Sequence, residues 1–453
     1  MTLHEYMDSL RSKRIGVVGV GVSNRPLIDL LLAAGCCVTA CDRRDRAEMG
    51  ELAQELESHG CALKLGEDYL RDLDFDVIFR TPGLHPRFLS EAAEKGALLT
   101  SEMEAFFALC PCRIFAVTGS DGKTTTTTII AELLKAAGHT VWLGGNIGTP
   151  LLDKLPQMKA DDMVVLELSS FQLHSMACHP HVAVITNVSP NHLDVHPDYQ
   201  DYIDAKKQIF RAQTAADRLV LNADNAITRA MAAESAATVR FFSRREPVEG
   251  VFSAGGEIYV SGKAIMPSDA IRIPGEHNLE NYMAAFAAVG ELVTPEVCRQ
   301  VAEGFAGVEH RLEMFRCLHG VTYCNDSIAS SPTRTIAGLR ALRQKPILIA
   351  GGYDKHIPFD ELGHEICRHA KALVLCGATA DKILNAVQTS PLYDESVLPI
   401  VQKDDFTEAV YAARELAEEG DLVLLSPACA SFDKFPNFAV RGRTFKKIVM
   451  EME

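Results

Sequence analysis

One run restricts this chain more than any other: Gly119-Ser120-Asp121-Gly122-Lys123-Thr124-Thr125. It sits between an apolar strand, Ile114 to Thr118, and a helical pattern that begins after Lys123. Glycines let a backbone curl until successive N–H groups face one point. A helix start adds favourable potential for an anion at that point. Lys123 contributes a mobile positive charge, and Thr124 a hydroxyl able to reach Mg²⁺. The run departs from the full G-x-x-x-x-G-K-[ST] form, because residue 118 is Thr where the first Gly would stand. Five threonines in a row, 124 to 128, are poor helix formers, so local propensity does not account for them. The run predicts a phosphate loop for ATP or GTP at the end of a strand, and hence an α/β fold.

Two further stretches of alternating strand and helix flank this one. The first, about residues 10 to 105, has strands at Ile15–Val20, at Cys37–Asp42 and before Thr81-Pro82-Gly83. The phosphate-loop stretch continues with strands at Val141–Leu143, Met163–Glu167, Val182–Thr186 and Leu219–Asn222. A hairpin is expected around Gly255 to Lys263, and an alanine-rich helix over 278 to 290. The third, from about 307, has strands at Ile347–Ala350, Ala372–Cys376 and Leu422–Leu425, and a helix from Thr407 to Gly420. Joints are expected near 105 to 112 and near 305 to 310. A length of 453 residues suits two to four domains.

The net charge of -15 argues against wrapping nucleic acid or an anionic membrane. No run reaches the roughly 18 apolar residues of a membrane span. The charged N-terminal segment lacks a signal peptide's apolar stretch. The chain is therefore expected in the cytosol, with its 13 cysteines reduced. No CxxC pair exists, and Cys36, Cys37, Cys41 and Cys376 read as small packing residues.

A second glycine turn, Gly19 to Asn24, follows a strand, and Asp42 ends the next one, placed to meet a ribose. Residue 24 is Asn, so the GxGxxG pattern is incomplete. NAD, FAD and a UDP-sugar all remain open. Glu167, at a strand end, is placed to hold Mg²⁺. His192 is a candidate ligand or metal contact. The spacing of His192 and His196 resembles a zinc pair, but Pro197 argues for a loop and no third soft ligand is near. Lys206 and Lys207 lie on an amphipathic helix, where a lysine pair is ordinarily a solvated face. Three polar loops of the last stretch, around Asp326, Gly351 to His356 and Ser426 to Phe438, share the ligand-binding side of an α/β sheet.

Taken together these motifs resemble the Mur ligase family over nearly the whole chain. The resemblance runs through GVGVSN at 19, TPG at 81, GSDGKTTT at 119, GGNIG at 144, ELSSFQL at 167 and NHLD at 191. It continues with Lys206, GEHNLEN at 275, HRLE at 310, NDS at 325, GGYDK at 351 and SPACASFDKF at 426. ELSSFQL and SPACASFDKFPNF are most similar to the branch that adds D-glutamate.

The resemblance implies three domains: a Rossmann-like UDP-sugar domain at 1–106, a P-loop ATPase-like domain at 107–307 and a Rossmann-like amino-acid domain at 308–453. It implies an ATP-dependent ligase joining D-glutamate to UDP-N-acetylmuramoyl-L-alanine through an acyl phosphate, in peptidoglycan synthesis. The enzyme would be a monomer using ATP and two Mg²⁺ ions. The resemblance assigns Ser23, Asn24, Asp42, Arg43, Thr81, Pro82, Gly83 and Asn146 to the UDP-sugar. It assigns Gly119, Asp121, Gly122, Lys123, Thr124, Thr125, Asn278, Asn281, Arg311 and Asp326 to ATP. Thr124, Glu167, His192 and a carbamylated Lys206 would surround the magnesium ions, with Lys123, His192 and Lys206 catalytic. Lys355, Ser431 and Phe438 would hold D-glutamate. The chain departs from better-known members in having Ile328 and Ser330 for Lys and Thr, and Arg43 for a small hydroxyl residue.

Overall fold

Short apolar runs bounded by glycine turns become the strands of three sheets. The structure, a computed structural model, describes every residue except Ser175, 191–195, Pro274 and 355–356. By compactness the chain divides into two units, Met1–Gly304 and Phe305–Glu453.

The first unit holds two sheets. One is all parallel, with β1 (Arg14–Val18), β2 (Cys37–Asp42), β3 (Ala62–Leu65), β4 (Val77–Arg80) and β5 (Leu98–Thr100) in the order β3-β2-β1-β4-β5. The strand order reverses between β1 and β4, the place where such sheets open a crevice. The turn after β1 and Thr81 after β4 therefore lie side by side, with Thr81 N donating to Val18 O at 2.8 Å.

The other sheet comprises β6 (Arg113–Thr118), β7 (Val141–Gly145), β8 (Met163–Glu167), β9 (Val182–Ile185), β10 (Arg218–Asn222), β11 (Thr238–Ser243), β12 (Gly250–Ala254), β13 (Glu257–Val260) and β14 (Lys263–Pro267). Its order is β14-β13-β12-β11-β10-β9-β6-β8-β7. The parallel partners of β6 are β8 and β9, so the loop after β6 emerges between Glu167 and Thr186. β12, β13 and β14 form an antiparallel meander where a hairpin is expected.

One apolar core joins the two sheets. It runs from Ile15, Val17 and Phe79 through Met103 and Phe106 to Ala116, Leu166 and Ile185. The helix Glu102–Leu109 and Cys112 belong to it. The stretch expected as a joint near 105 to 112 is thus packed inside the first unit, because its run Ala-Phe-Phe-Ala-Leu is too apolar to stay in water.

The second unit has β15 (Glu313–Leu318), β16 (Val321–Asn325), β17 (Ile347–Ala350), β18 (Ala372–Leu375), β19 (Ile400–Gln402) and β20 (Leu422–Leu425), in the order β15-β16-β20-β17-β18-β19. β15 and β16 pair antiparallel and the remaining pairs are parallel. The helix expected to reach Gly420 ends at Glu415. Cys36, Cys41 and Cys376 are buried as expected. Cys37, the first residue of β2, is exposed. Among the described residues no helix is long and apolar enough to cross a membrane.

Candidate functional site

The loop after β6 owes its shape to two glycines. Gly119 has φ +152° and Gly122 φ +75°; a Cβ on the first would overlap Thr186 Oγ1, and on the second Asn281 Oδ1. Side chains from neighbouring elements pin the curl. Thr186 Oγ1 donates to Asp121 O at 2.6 Å, Asp121 N donates to Asn187 Oδ1 at 3.0 Å, and Ser120 Oγ donates to Ser189 O at 3.0 Å. The helix Lys123–Ala136 starts at Gly122 with no side-chain cap, which leaves its first N–H groups facing the loop. The threonine run is explained by tertiary contacts. Thr125, Thr126 and Thr127 are buried, and Thr126 Oγ1 donates to Asn281 Oδ1 at 3.2 Å. Asn281 Nδ2 in turn donates to Asn278 Oδ1 at 3.2 Å. Asn278, Asn281 and the loop are thereby brought together.

Glu167 is 2% exposed. One carboxylate oxygen accepts from Thr124 Oγ1 at 2.6 Å and the other from Asn146 Nδ2 at 2.8 Å. The Thr124 hydroxyl, the Glu167 carboxylate and the Asn146 amide thus converge beside the loop. Hard oxygen donors of this kind suit Mg²⁺.

Lys206 is where the structure departs most from the solvated-face expectation. It is 1% exposed. On its helix, Tyr199–Arg211, it shares the inward face with Tyr202, Ile209 and Phe210 at spacings of four, three and four residues. Its Nζ lies 2.7 Å from Gly119 O and 4.5 Å from the centre of the Tyr202 ring. Burial drives its pKa well below the ordinary lysine value; the charge of Lys123 adds to this, while Asp121 and Glu167 oppose it. A buried amine of lowered basicity is thus set against the phosphate loop. Lys123 Nζ donates to two loop carbonyls, Gly119 O at 3.0 Å and Ser120 O at 2.9 Å.

His192 lies outside the described residues, as does Lys355. His196 is described. Its Nδ1 is 2.6 Å from Asp201 Oδ2 and its Nε2 is 3.0 Å from Ser170 Oγ, so both ring nitrogens are engaged within the protein.

At the first sheet's crevice, Ser23, Asn24 and Pro82 line a small cleft. Asp42 accepts from Val20 N at 2.7 Å, and both its oxygens accept from Arg44 at 2.9 Å. Burial works to raise its pKa, but Arg44 and the Arg44 and Val20 N–H groups outweigh this and hold it low. Arg43 and Gly83 are exposed, while Thr81 is half-buried at the same strand ends.

In the second unit Asp326 is buried. Its oxygens accept from Leu312 N at 3.2 Å and from Ser426 Oγ at 2.8 Å. Burial pushes its carboxyl up to about 7, against the opposing pull of those donors and of Arg311 and Arg334. Arg311 is exposed. Ser327 Oγ donates to Phe438 O at 2.8 Å, joining the Asn-Asp-Ser turn to the start of the helix Phe438–Glu451. Ser431 is buried and Phe438 half-exposed. The carbonyl of Ile328 accepts from Arg334 Nη1 at 3.4 Å, so a guanidinium approaches the loop at the position that lacks a lysine.

Two residues sequence reasoning passed over are Arg80 and Glu102. Both line the cleft of the first unit and are 3% and 4% exposed. Arg80, charged at the end of an apolar strand, carried a readable signal.

A family model described as the Mur ligase middle domain matches residues 117–289, and one described as the Mur ligase glutamate ligase domain matches residues 310–429. The UDP-N-acetylmuramoylalanine–D-glutamate ligase of Clostridium novyi (strain NT) is 50% identical over 454 residues, covering 99% of both chains. The protein of the same name from Acetivibrio thermocellus is 50% identical over 462 residues, covering 100% of this chain and 99% of its own. The solved UDP-N-acetylmuramate–alanine ligase of Thermotoga maritima is 17% identical, with a TM-score of 0.57 over 97% of this chain and 100% of that one, a likeness of fold.

Proposed function

The chain belongs to the Mur ligase family and is an ATP-dependent amide-bond-forming ligase; from that premise we propose that it joins D-glutamate to UDP-N-acetylmuramoyl-L-alanine in the cytoplasmic synthesis of peptidoglycan precursors. Three domains divide the work. Residues 1–106 take the UDP-sugar, 107–307 take ATP, and 308–453 bring the amino acid. The observation that carries the reading is the constellation at the phosphate loop: Thr124 and Asn146 on the buried Glu167, and Lys123 and Lys206 on the carbonyl of Gly119. The 50% identity along whole chains of D-glutamate-adding relatives supports the choice of amino acid.

A carboxylate is a poor acylating agent, because its leaving group would be oxide. Here one carboxylate oxygen of the UDP-sugar substrate attacks the γ-phosphorus of ATP and ADP leaves. The nitrogen of D-glutamate attacks the resulting acyl phosphate, loses a proton, and expels inorganic phosphate. The first step brings two anions together. Lys123, released from the loop carbonyls, supplies positive charge where it grows. Thr124, Glu167, Lys206 and His192 are the residues suited to holding Mg²⁺, which when bound neutralises phosphate charge. As an ammonium, Lys206 would repel that ion. Its depressed pKa keeps the amine nucleophilic toward CO₂, and the carbamate so formed would be an oxygen ligand. Lys355, Ser431 and Phe438 take D-glutamate.

The deciding experiment is ADP release with UDP-N-acetylmuramoyl-L-alanine and each of D-glutamate, L-alanine and a diamino acid. Release dependent on D-glutamate alone is expected. Release with L-alanine or the diamino acid, and none with D-glutamate, would overturn the assignment.

A further inference from the structure

In sequence, His192 and His196 have no third soft ligand near them, but the fold brings two further histidines into the neighbourhood of His196. His85 follows Thr81-Pro82-Gly83 beyond β4 and caps the turn Pro86–Leu89. His174 follows the short helix Ser170–Leu173 beyond β8, and Asp201 lies in the first turn of the helix Tyr199–Arg211 beyond β9. The ring centres of His85 and His174 are 4.2 Å apart, and those of His174 and His196 are 5.7 Å apart. One ring nitrogen of His85, one of His174 and one carboxylate oxygen of Asp201 all lie within 4.8 Å of one another. Segments that follow strands of both sheets of the first unit thus deliver two imidazoles and a carboxylate to one place.

Hydrogen bonds account for part of this cluster. His174 Nε2 lies 2.9 and 3.1 Å from the two Asp201 oxygens. His196 Nδ1 lies 2.6 Å from Asp201 Oδ2, and its Nε2 3.0 Å from Ser170 Oγ. His196 is 3% exposed and stacks on Phe171, with ring centres 5.4 Å apart. It therefore fixes the Asp201 carboxylate, as outer partners fix the ligands of a metal. His85 is left over. Its Nδ1 accepts from Arg87 N at 3.1 Å, and its Nε2 is buried with no hydrogen-bond partner among the described residues. A buried polar atom without a partner calls for a ligand or an ordered water. The His174 and Asp201 side chains are 17% and 27% exposed, which gives an ion a way in.

We propose that His85, His174 and Asp201 form a zinc site that fastens the loop after β4 to the segments following β8 and β9. Neutral imidazole and carboxylate are donors that Zn²⁺ takes, with bonds of about 2.0–2.2 Å. Any three atoms within 4.8 Å of one another have a point within about 2.8 Å of all three, so each donor need close in by about 0.7 Å. Water completes the four-coordinate shell from the exposed side. With two nitrogens among three donors, the site favours Zn²⁺ over Mg²⁺. The protons balance without loss. In the metal-free protein His85 carries its proton on Nε2, because Nδ1 accepts from Arg87 N. On coordination through Nε2 that proton passes by way of solvent to Nδ1. The Arg87 N–H bond is given up, one neutral hydrogen bond against a metal–nitrogen bond. His174 coordinates likewise as a neutral imidazole, with its proton on the other nitrogen. The site stands independently of which amino acid the enzyme adds.

The test is a zinc titration of the full chain, stripped of metal and held at pH 7.5 in excess Mg²⁺, against a chromophoric chelator. Wild type is expected to bind one zinc per chain, about a hundredfold or more tighter than His85→Ala or His174→Ala. Co²⁺ in place of zinc is expected to give the visible absorption of a four-coordinate nitrogen–oxygen site. The sulfur charge-transfer band of a site built on any of the 13 cysteines should be absent. Zinc is expected to raise the melting temperature of wild type and of neither variant. Metal-free melting shows whether each variant folds; should one fail, His85→Gln or His174→Gln, which keep a hydrogen-bonding side chain, take its place. No zinc uptake by wild type, equal affinity in wild type and both variants, or a thiolate cobalt spectrum would each overturn the proposal. Weakening by His174→Ala alone would overturn it too, since His85 would then hold no metal.

Discussion

Replacing Lys206 by Met separates a chemical role from a structural one, because the two predict opposite changes in stability. The side chain is 1% exposed and its amine pKa is strongly depressed. Burying an amine that the unfolded chain exposes as an ammonium costs on the order of several kcal/mol. Methionine has similar length and carries no such cost. What it loses is one hydrogen bond, that of Nζ to Gly119 O at 2.7 Å, worth about 1 kcal/mol. The carbonyl is not orphaned, since Lys123 Nζ also donates to it at 3.0 Å. In bicarbonate-free, metal-free buffer at pH 7, Lys206→Met should therefore be more stable than wild type by about a few kcal/mol, a rise of several degrees in melting temperature. The sign of the pH dependence follows. The amine's pKa is lower in the folded protein than in the unfolded chain, so unfolding takes up protons at pH values between the two. Wild type gains stability as pH rises toward 10, and its gap to Lys206→Met closes there. Turnover of the variant should fall at least a hundredfold, and for Lys206→Ala a short carboxylate such as acetate should restore part of it. Scanning calorimetry at pH 7, 8.5 and 10, with ADP release beside it, makes the measurement. A Lys206→Met protein that melts several degrees below wild type at pH 7 would refute the buried-amine argument. One with wild-type turnover would remove Lys206 from the chemistry.

Lys123→Ala leaves the loop's backbone pins intact and should keep the melting temperature within about 2 °C. It should lose about a hundredfold in turnover, equivalent to ~3 kcal/mol of transition-state stabilisation, and wild-type single-turnover rates would exclude the role. Thr124→Val removes the 2.6 Å bond to Glu167; ADP release should fall more than tenfold and need higher Mg²⁺ for half-saturation, whereas an unchanged Mg²⁺ titration would place the ion elsewhere. Asp326, pushed up to about 7 by burial, holds a proton in the folded protein that the unfolded chain sheds near pH 4. Its contribution is complete below pH 4 and is lost as pH rises toward 7, a change on the order of 4 kcal/mol. Asp326→Asn should flatten that dependence, as read by hydrogen exchange of β16 and β20 amides in the full chain. An equal pH response in both proteins would show that Asp326 does not titrate there.

The strands expected from the sequence were legible because each is a short apolar run closed by a turn signal, and their observed and expected ends differ by a residue or two, whereas β3, β5, β15 and β19 at the sheet edges carried no such expectation. The phosphate loop was legible because a glycine turn between strand and helix has few other uses. What escaped depends on contacts between distant segments. Lys206 lies between both cases. Two adjacent lysines on an amphipathic helix suggest a wet face, yet position 206 is one turn from Tyr202 and one turn from Ile209 and Phe210, on the apolar stripe. Only Lys207 lies off that stripe, where it pairs with Glu234 at 2.7 Å. The helical period carried the answer and the residue type obscured it.

Glu102 had no such local signal. An acidic residue at a helix start is ordinarily explained by the helix dipole, and the segment Glu-Met-Glu reads as a solvated first turn. Its burial comes from a turn about 50 residues further on, Leu152–Gln157, and from β4 more than 20 residues before it. Nothing in the spacing of its neighbours encodes either contact. The same applies to Asp42. A strand-end acid about 20 residues after a glycine turn suggests a ribose ligand, but Arg44, two positions on, bonds both its oxygens in this structure. A ribose hydroxyl would meet an acceptor already engaged by a guanidinium, so it could bind there only by sharing those lone pairs or displacing Arg44. Such pairing within the chain is decided by side-chain geometry, which motif spacing does not record. Glu102 and Asp42 thus differ in a way that only coordinates reveal. One is a motif-poor acid with an unused oxygen, and the other a motif-rich acid whose oxygens are both occupied.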